Sequence, residues 1–348
     1  MVTMKDIARD ADVSVMTVSN ALRGKDVVAP GTARRILDIA DHMGYQVDAA
    51  TLSARSLRAR AGRSPRGSNG AIGVAIFEFD NLQPSRLAAE ISKVAGDRGW
   101  QTLVQQTCTE VSGERSILEG ISNQFCDGLI FSSQMIGPEE IAAITRRRPT
   151  VLIDDDRLQH QLDTVLSPCE EGSAAAIEYL WNRGRRRIGV VGDAMDVIAD
   201  PTQCHSVGAR RIRGCMDAFE RLGMAWGGDS FIDTDWRELA ARDAIHAHAA
   251  RLRDFDALYC LTDTIAFGVL RGLHDLGIGV PDDIAVMGFD GVVMGEVSTP
   301  SLTTVAVDLT QTARLAVECV LDRMSDNSSG AERRRCVADF HIEQRESA

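Results

Sequence analysis

From Ala71 onward the chain alternates short β-rich runs with longer amphipathic stretches, and about halfway along it starts the same alternation again. "AIGVAIF" reads as a strand, 84–98 as a helix, "QTLVQQT" as a strand and 114–124 as a helix. "CDGLIFSS", a helix over 138–147 and "PTVLID" continue the series. The second round predicts helices over 172–183, 207–222 and 265–276 between the strands "RRIGVVGD", "DALYCLTD" and "DIAVMGFD". This rhythm builds parallel sheets covered by helices on both faces. Each round is too small to be the whole core. The expectation is an α/β protein with two doubly wound lobes and a cleft between them, where ligands meet the carboxyl ends of the strands.

The first 70 residues have a different pattern. Met4 to Ala11 predicts a short helix with Thr3 as its cap and Ile7, Ala8 and Ala11 on the apolar side. After the break at "DVS", Ser14 can cap a second helix from Val15 to Leu22. Val18 and Leu22 of this helix face inward, and Val15, Met16, Ser19 and Asn20 face outward. Gly24 ends it, and a third helix over 32–43 closes at Gly44 and Tyr45. Three short helices with a tight turn between the first two make a helix-turn-helix unit. Residues 48–70 then pass from arginine-studded helix formers into Gly, Ser, Pro and Asn, the composition of a marginal helix followed by a linker.

Charge separates the same regions. The 348-residue chain has a net charge of -12, yet Met1 to Gly67 holds eleven Lys and Arg against seven Asp. One end is therefore basic and the body acidic, an asymmetry that marks a nucleic-acid-binding end. Phosphate attraction depends on the face that meets the duplex, so the acidic total does not exclude DNA.

Other classes find less support. The charged N-terminus lacks a secretory core and no run reaches membrane-span length, so a cytoplasmic, non-membrane protein is expected. The eight cysteines are scattered without C-x-x-C pairs and read as reduced, buried thiols. "GIGVPDD" lies between a helix and a strand and reads as a turn, not a dinucleotide cradle. His246 and His248 diverge on one helix and cannot share a metal. Asp154 to Asp156 end a strand, where ligand contact and solvated turn both remain open. With no nucleophile elbow or P-loop, nothing positive supports an enzyme, a metal or a cofactor. A solute-binding receptor and a sugar-active hydrolase on the same two-lobe scaffold remain as alternatives.

The segment "VTMKDIARDADVSVMTVSNALRGKDVVAPGTARRILDIADHMGY" closely resembles the DNA-binding headpiece of the LacI/GalR family of bacterial transcription regulators. "IGVAIFEFDN", "RRIRGCMDAF", "LTDTIAFGVLRGL", "DIAVMGFD" and "TPSLTTV" follow in the family's order. The resemblance implies a helix-turn-helix headpiece plus a two-lobed, periplasmic-binding-protein-like core. It also implies a homodimeric repressor that binds double-stranded operator DNA under the control of a small sugar-like effector, with Arg211 leaving an acidic effector open.

Carried over by position, the DNA-binding set is Thr3, Ser14, Val15, Met16, Thr17, Ser19, Asn20 and Arg23, with Arg55, Leu57 and Arg58 in a hinge helix. Leu57 is the expected minor-groove wedge and Leu52 its competitor, while Arg60 faces phosphate. The effector set is Phe77, Asn81, Arg211, Trp236, Asp263 and Asp290. Asn20 stands where the family most often has arginine, Asp12 where the turn usually has glycine, and Thr262 where an asparagine is usual. Pro168 and Cys169 replace a common polar pair, Val47 replaces a usual proline, and the hinge motif is displaced by about three residues, nearly one helical turn. The expected domains are the headpiece at 1–47 and the hinge and linker at 48–70. The N-terminal effector lobe is expected at 71–168 with about 303–335, and the C-terminal lobe at 169–302 with about 336–345.

Overall fold

Helices α1 (Met4–Asp10), α2 (Val15–Leu22) and α3 (Pro30–His42) close around Ile7, Val18, Leu22 and Ile36. The computed structural model describes residues 2–22, 27–43, 45, 70–107, 111–119, 125–132, 136–145, 148–155, 157–158, 160–193, 206–325 and 332–348. At the start of α1, the Thr3 N–H and hydroxyl donate to the Asp6 carboxylate at 2.9 and 2.7 Å. Ser14 caps α2 by accepting the Thr17 N–H at 3.0 Å, which satisfies one of the helix's orphan donors. Between them Asp12 takes a left-handed backbone, φ 49°, as the sequence requires of a residue standing in for glycine. Arg35 of α3 donates to the Ala11 carbonyl at 2.8 Å and ties the turn to the third helix.

Two six-stranded sheets follow. The first uses β1 (Ala71–Ile76), β2 (Gln101–Gln106), β3 (Gly128–Phe131), β4 (Thr150–Ile153), β5 (Asp163–Leu166) and β11 (Arg335–Val337). Its order is β2-β1-β3-β4-β5-β11, all parallel. The second uses β6 (Ile188–Val191), β7 (Phe231–Ile232), β8 (Ala257–Cys260), β9 (Ala285–Asp290), β10 (Thr303–Val307) and β12 (Phe340–Glu343) in the order β7-β6-β8-β9-β10-β12. Only β12, paired to β10, is antiparallel. In both sheets the chain runs outward from the first strand and then returns to its other side. Each sheet thus has its switch point beside β1 or β6, where ligand crevices form.

Around these sheets lie α4 (Leu82–Asp97), α5 (Val111–Glu119), α6 (Pro138–Thr145), α7 (Cys169–Asn182), α8 (Val207–Arg221), α9 (Glu238–Ala247), α10 (Asp263–Asp275), α11 (Met294–Val297) and α12 (Leu309–Met324). Five helices, α3, α4, α5, α7 and α10, start two or three residues earlier than the apolar periodicity indicates. Pro30 occupies the first position of α3, where its missing N–H costs nothing. Thr262 caps α10 through the Ile265 N–H at 3.1 Å, so Asp263 is already helical. Cys169 opens α7. The glycine turn at 277–283 is a turn, as expected.

The lobe boundaries need correction. Residues 303–307 were expected in the first lobe, but they form β10 and pair with β9 of the second, with Thr303 opposite Met287. The chain crosses back only at Asp308, after which α12 packs on α4, β3, β4 and β5. The last crossing also comes later than 335/336, because β11 pairs with β5 through Val337. Sequence alternation marks strands without saying which sheet pairs them.

In the second lobe α7 and α8 pack closely against each other. A Cβ on Gly214 would overlap the Glu170 carbonyl of the facing helix. Gly214→Ala is therefore expected to destabilise the core by about 1–3 kcal/mol through overpacking. Thermal or urea unfolding of the purified variant checks this, and unchanged stability would refute the close approach.

Candidate DNA-reading helix and inter-lobe cavity

α2 is held from beneath and open above. Val18 is fully buried and Leu22 nearly so, whereas Val15 is 42% and Met16 70% exposed. Apolar side chains left exposed at a helix start are suited to the methyl and edge groups of bases. Thr17 shares a 2.8 Å hydroxyl contact with Ser14, and Ser19 and Asn20 are half-buried on the same helix. Thr3 is exposed beside Asp6. Arg23, Arg55, Leu57 and Arg58 lie outside the described residues, as do Leu52 and Arg60.

A cavity of about 520 Å³ opens where the strand ends of the two lobes meet. Phe77 follows β1, and Asn81 caps α4 by accepting the Gln83 N–H at 3.4 Å. Arg211 comes from α8, Trp236 precedes α9 and Asp290 ends β9. All five line the cavity. Trp236 packs against the first turn of α8, where a Cβ on Gly208 would come within 2.7 Å of the indole.

Arg211 forms the floor. It is only 3% exposed and donates to Asp290 at 2.9 Å and to the Leu261 carbonyl, with its guanidinium 3.8 Å above the Phe289 ring. Burial alone would pull its pKa down, but Asp290 more than compensates and holds it above the ordinary value. Asp290 itself is raised by burial, and Arg211 opposes that rise. Its backbone has φ 122°, and Gly291 follows at 75°. A left-handed aspartate is a costly conformation that the surrounding packing must impose.

Asp263 is a correction. It was expected to touch the effector, but it does not line the cavity. Its carboxylate accepts the Thr304 hydroxyl at 2.6 Å and the Val292 N–H at 2.8 Å, in space that a Cβ on Gly288 would fill. It knits α10 to β9 and β10. Thr262, its neighbour, reaches the lining while capping α10.

Neighbours of the cavity that the sequence did not single out are also present. Asp154, left open there, lines the first-lobe side with φ 57° and accepts the Ser167 N–H and hydroxyl at 2.6 and 2.9 Å. Arg210 donates to the Ser167 carbonyl at 3.0 Å and to Glu170 at 3.2 Å, and lies 4.0 Å from Asp154. Glu78 of the first lobe and Arg237 of the second form an ion pair across the mouth. Two consecutive arginines near the start of a helix, one of which must turn toward the core, are the signal that could have flagged Arg210. Among the described residues no cluster of His, Cys, Asp and Glu is arranged to hold a metal ion, and no helix is long and apolar enough to cross a membrane.

The chain matches the family model for bacterial regulatory proteins of the lacI family over residues 3–48 and that for a periplasmic binding protein-like domain over 177–348. It is 25% identical over 345 residues to the HTH-type transcriptional repressor PurR of Vibrio vulnificus, covering 99% of this chain and 97% of that one. Among solved structures, a LacI-family transcriptional regulator from Sanguibacter keddieii is 30% identical with TM-score 0.71, covering 80% of this chain and 98% of that one. The lac repressor dimer bound to operator and an anti-inducer shares the fold at 20% identity and TM-score 0.70, covering 99% and 98%.

Burial, with Asp290 nearby, pushes the Asp263 carboxyl well above its ordinary 3.8. The folded chain thus binds this proton more tightly than the unfolded one. The stability gained is fully present below pH 3.8 and is lost as the pH rises through the raised value. Asp263→Asn removes this titration, so its thermal midpoint should fall less than wild type between about pH 5 and about pH 8. Equal slopes in the two proteins would refute the assignment.

Proposed function

Because the chain belongs to the LacI/GalR family of bacterial transcription regulators, we propose that it is a cytoplasmic, homodimeric repressor whose affinity for a pseudo-palindromic operator is set by a small sugar-like effector in the inter-lobe cavity. The observation that carries this reading is the pairing, on one chain, of an exposed helix start at Val15 and Met16 with a cavity lined by Phe77, Asn81, Arg211, Trp236 and Asp290. An aromatic wall beside convergent polar groups suits the apolar faces and hydroxyls of a sugar ring. The cavity spans both lobes, so a ligand that fits one lobe arrangement better than another shifts their balance, and operator affinity with it. Whatever binds there is held by recognition groups. The relatives of this chain are transcriptional regulators, which supports reading it as a regulator.

Asn20 sets the reading of one base. Asparagine matches the N6 and N7 edge of adenine, whereas arginine matches guanine O6 and N7. Asn20→Arg is expected to move the preferred base at one operator position from adenine to guanine, by about 1–3 kcal/mol. Fluorescence anisotropy of full-length protein with the duplex upstream of its own gene, at two salt concentrations, tests the whole reading. No preference over random duplex would overturn it. Trp236→Ala should keep effector-free operator affinity and lose the response to ligand. A retained response would remove the cavity from the mechanism.

A further inference from the structure

We propose that Cys319 and Cys336 form a redox-sensitive pair, which hydrogen peroxide converts into a disulfide that clips β11 onto α12 beside the crossings between the lobes. The two thiols reach the same side of the first sheet by different routes. Val165 of β5 packs with Ile130, Val151 and Ile153 on the face covered by α4 and α12, whereas Leu129, Phe131 and Leu152 alternate onto the opposite face. Cys336 stands opposite Val165 in the parallel register of β11 and β5, and register partners share a face. On α12, Cys319 lies one turn before Arg323. Arg323 holds that side of the helix over the start of β5 by donating to both oxygens of Asp163 at 2.8 Å. The Arg334 N–H, two residues before Cys336, donates to the same carboxylate at 2.9 Å. Helix and strand are thus anchored at one point, and the Cys336 thiol acts directly on that of Cys319.

The two positions differ in the way such a pair requires. Among the described residues Cys336 is the only cysteine that is not buried, and β11 is the outer strand of its sheet, so a small oxidant can reach this thiol. Cys319 is 1% exposed, and burial pushes its thiol up to about 12 against the opposing pull of Arg334. A buried thiol of this kind resists oxidation by itself but can resolve an oxidised neighbour. Peroxide first oxidises the Cys336 sulfur to a sulfenic acid and leaves as water. The Cys319 sulfur then attacks the Cys336 sulfur, the S–O bond breaks, and the departing hydroxide takes the Cys319 proton to become a second water. The two thiols together lose two electrons, and peroxide gains them. β11 has only three residues and one paired neighbour, which leaves it free to make the shift that disulfide geometry demands. In the cytoplasmic setting proposed above, thiols rest reduced and such a bond forms only under oxidant. α12 starts directly after one crossing and β11 ends directly before the next, so the bond joins the two first-lobe segments from which both crossings depart.

Peptide mapping of the reduced full-length protein after treatment with hydrogen peroxide, with remaining thiols alkylated before digestion, tests the pair. Trypsin releases Cys319 in the peptide 315–323 and Cys336 in 336–345, and the two should appear joined, lighter than their sum by the hydrogens lost. Dithiothreitol should separate them again. In Cys336→Ser the joined species should vanish and Cys319 should stay reduced. In Cys319→Ala the Cys336 sulfenic acid should persist and be trapped by dimedone. Amide hydrogen exchange across 335–337 should slow about three-fold or more on oxidation of the wild type and stay unchanged on treatment of either variant. Peroxide that carries Cys336 to the sulfinic acid with no joined peptide would overturn the proposal, as would joining of Cys336 to any other cysteine or between two chains. Equal exchange before and after joining would mean that the bond leaves β11 unrestrained, and would sink the clip.

Discussion

Two consecutive arginines of α8 hold the centre of the molecule. Arg211 ties the ends of β8 and β9 through the Leu261 carbonyl and Asp290, and Arg210 ties the crossing after β5 through Ser167, Glu170 and Asp154. Both side chains are 3% exposed, and both stay charged because their carboxylates outweigh the cost of burial. A buried charge is tolerable only when it is paired and hydrogen-bonded, so neither arginine can move without its partners. The strand ends that form the cavity floor are thereby fixed against one another by electrostatics as well as by sheet packing.

The layers of this fold were legible because apolar alternation and helical periodicity are local properties of the sequence. "IGVAIF" and "DIAVMGFD" could only be buried strands, and the Ser14 cap and Gly-free turn at Asp12 were visible by residue type. The assignment of "SLTTV" to the second lobe was not legible, because strand pairing is decided by partners far away in the chain. Five of the six residues expected to contact an effector line the cavity. Asp263 failed because a strand-end aspartate has the same sequence signature whether it faces a ligand or, as here, the hydroxyl of Thr304. The Glu78–Arg237 pair was invisible for the opposite reason, since its members lie 159 positions apart and neither belongs to a motif.

The headpiece shows how a departure in sequence can preserve geometry. Asp12 takes the left-handed turn at φ 49°, and the helices on either side keep Ile7 and Val18 fully buried. The turn between α1 and α2 is thus maintained by the packing it serves, with Arg35 of α3 as an external brace. A glycine there would bring more unfolded-state freedom, which aspartate lacks.

The chain passes between the lobes at 166–169, 307–309 and 337–340. The second and third passages are bound to each other, with the Asp308 N–H donating to the Asp339 carbonyl at 2.9 Å and Gln311 exchanging hydrogen bonds with the Asp339 carboxylate and N–H. Three tethers lying side by side resist shear and separation but leave rotation about their common line comparatively soft. The lobes therefore behave as two plates on one axle. A force applied at the rim would be channelled into a single angular coordinate, with the rim as lever arm and the joined passages as fulcrum.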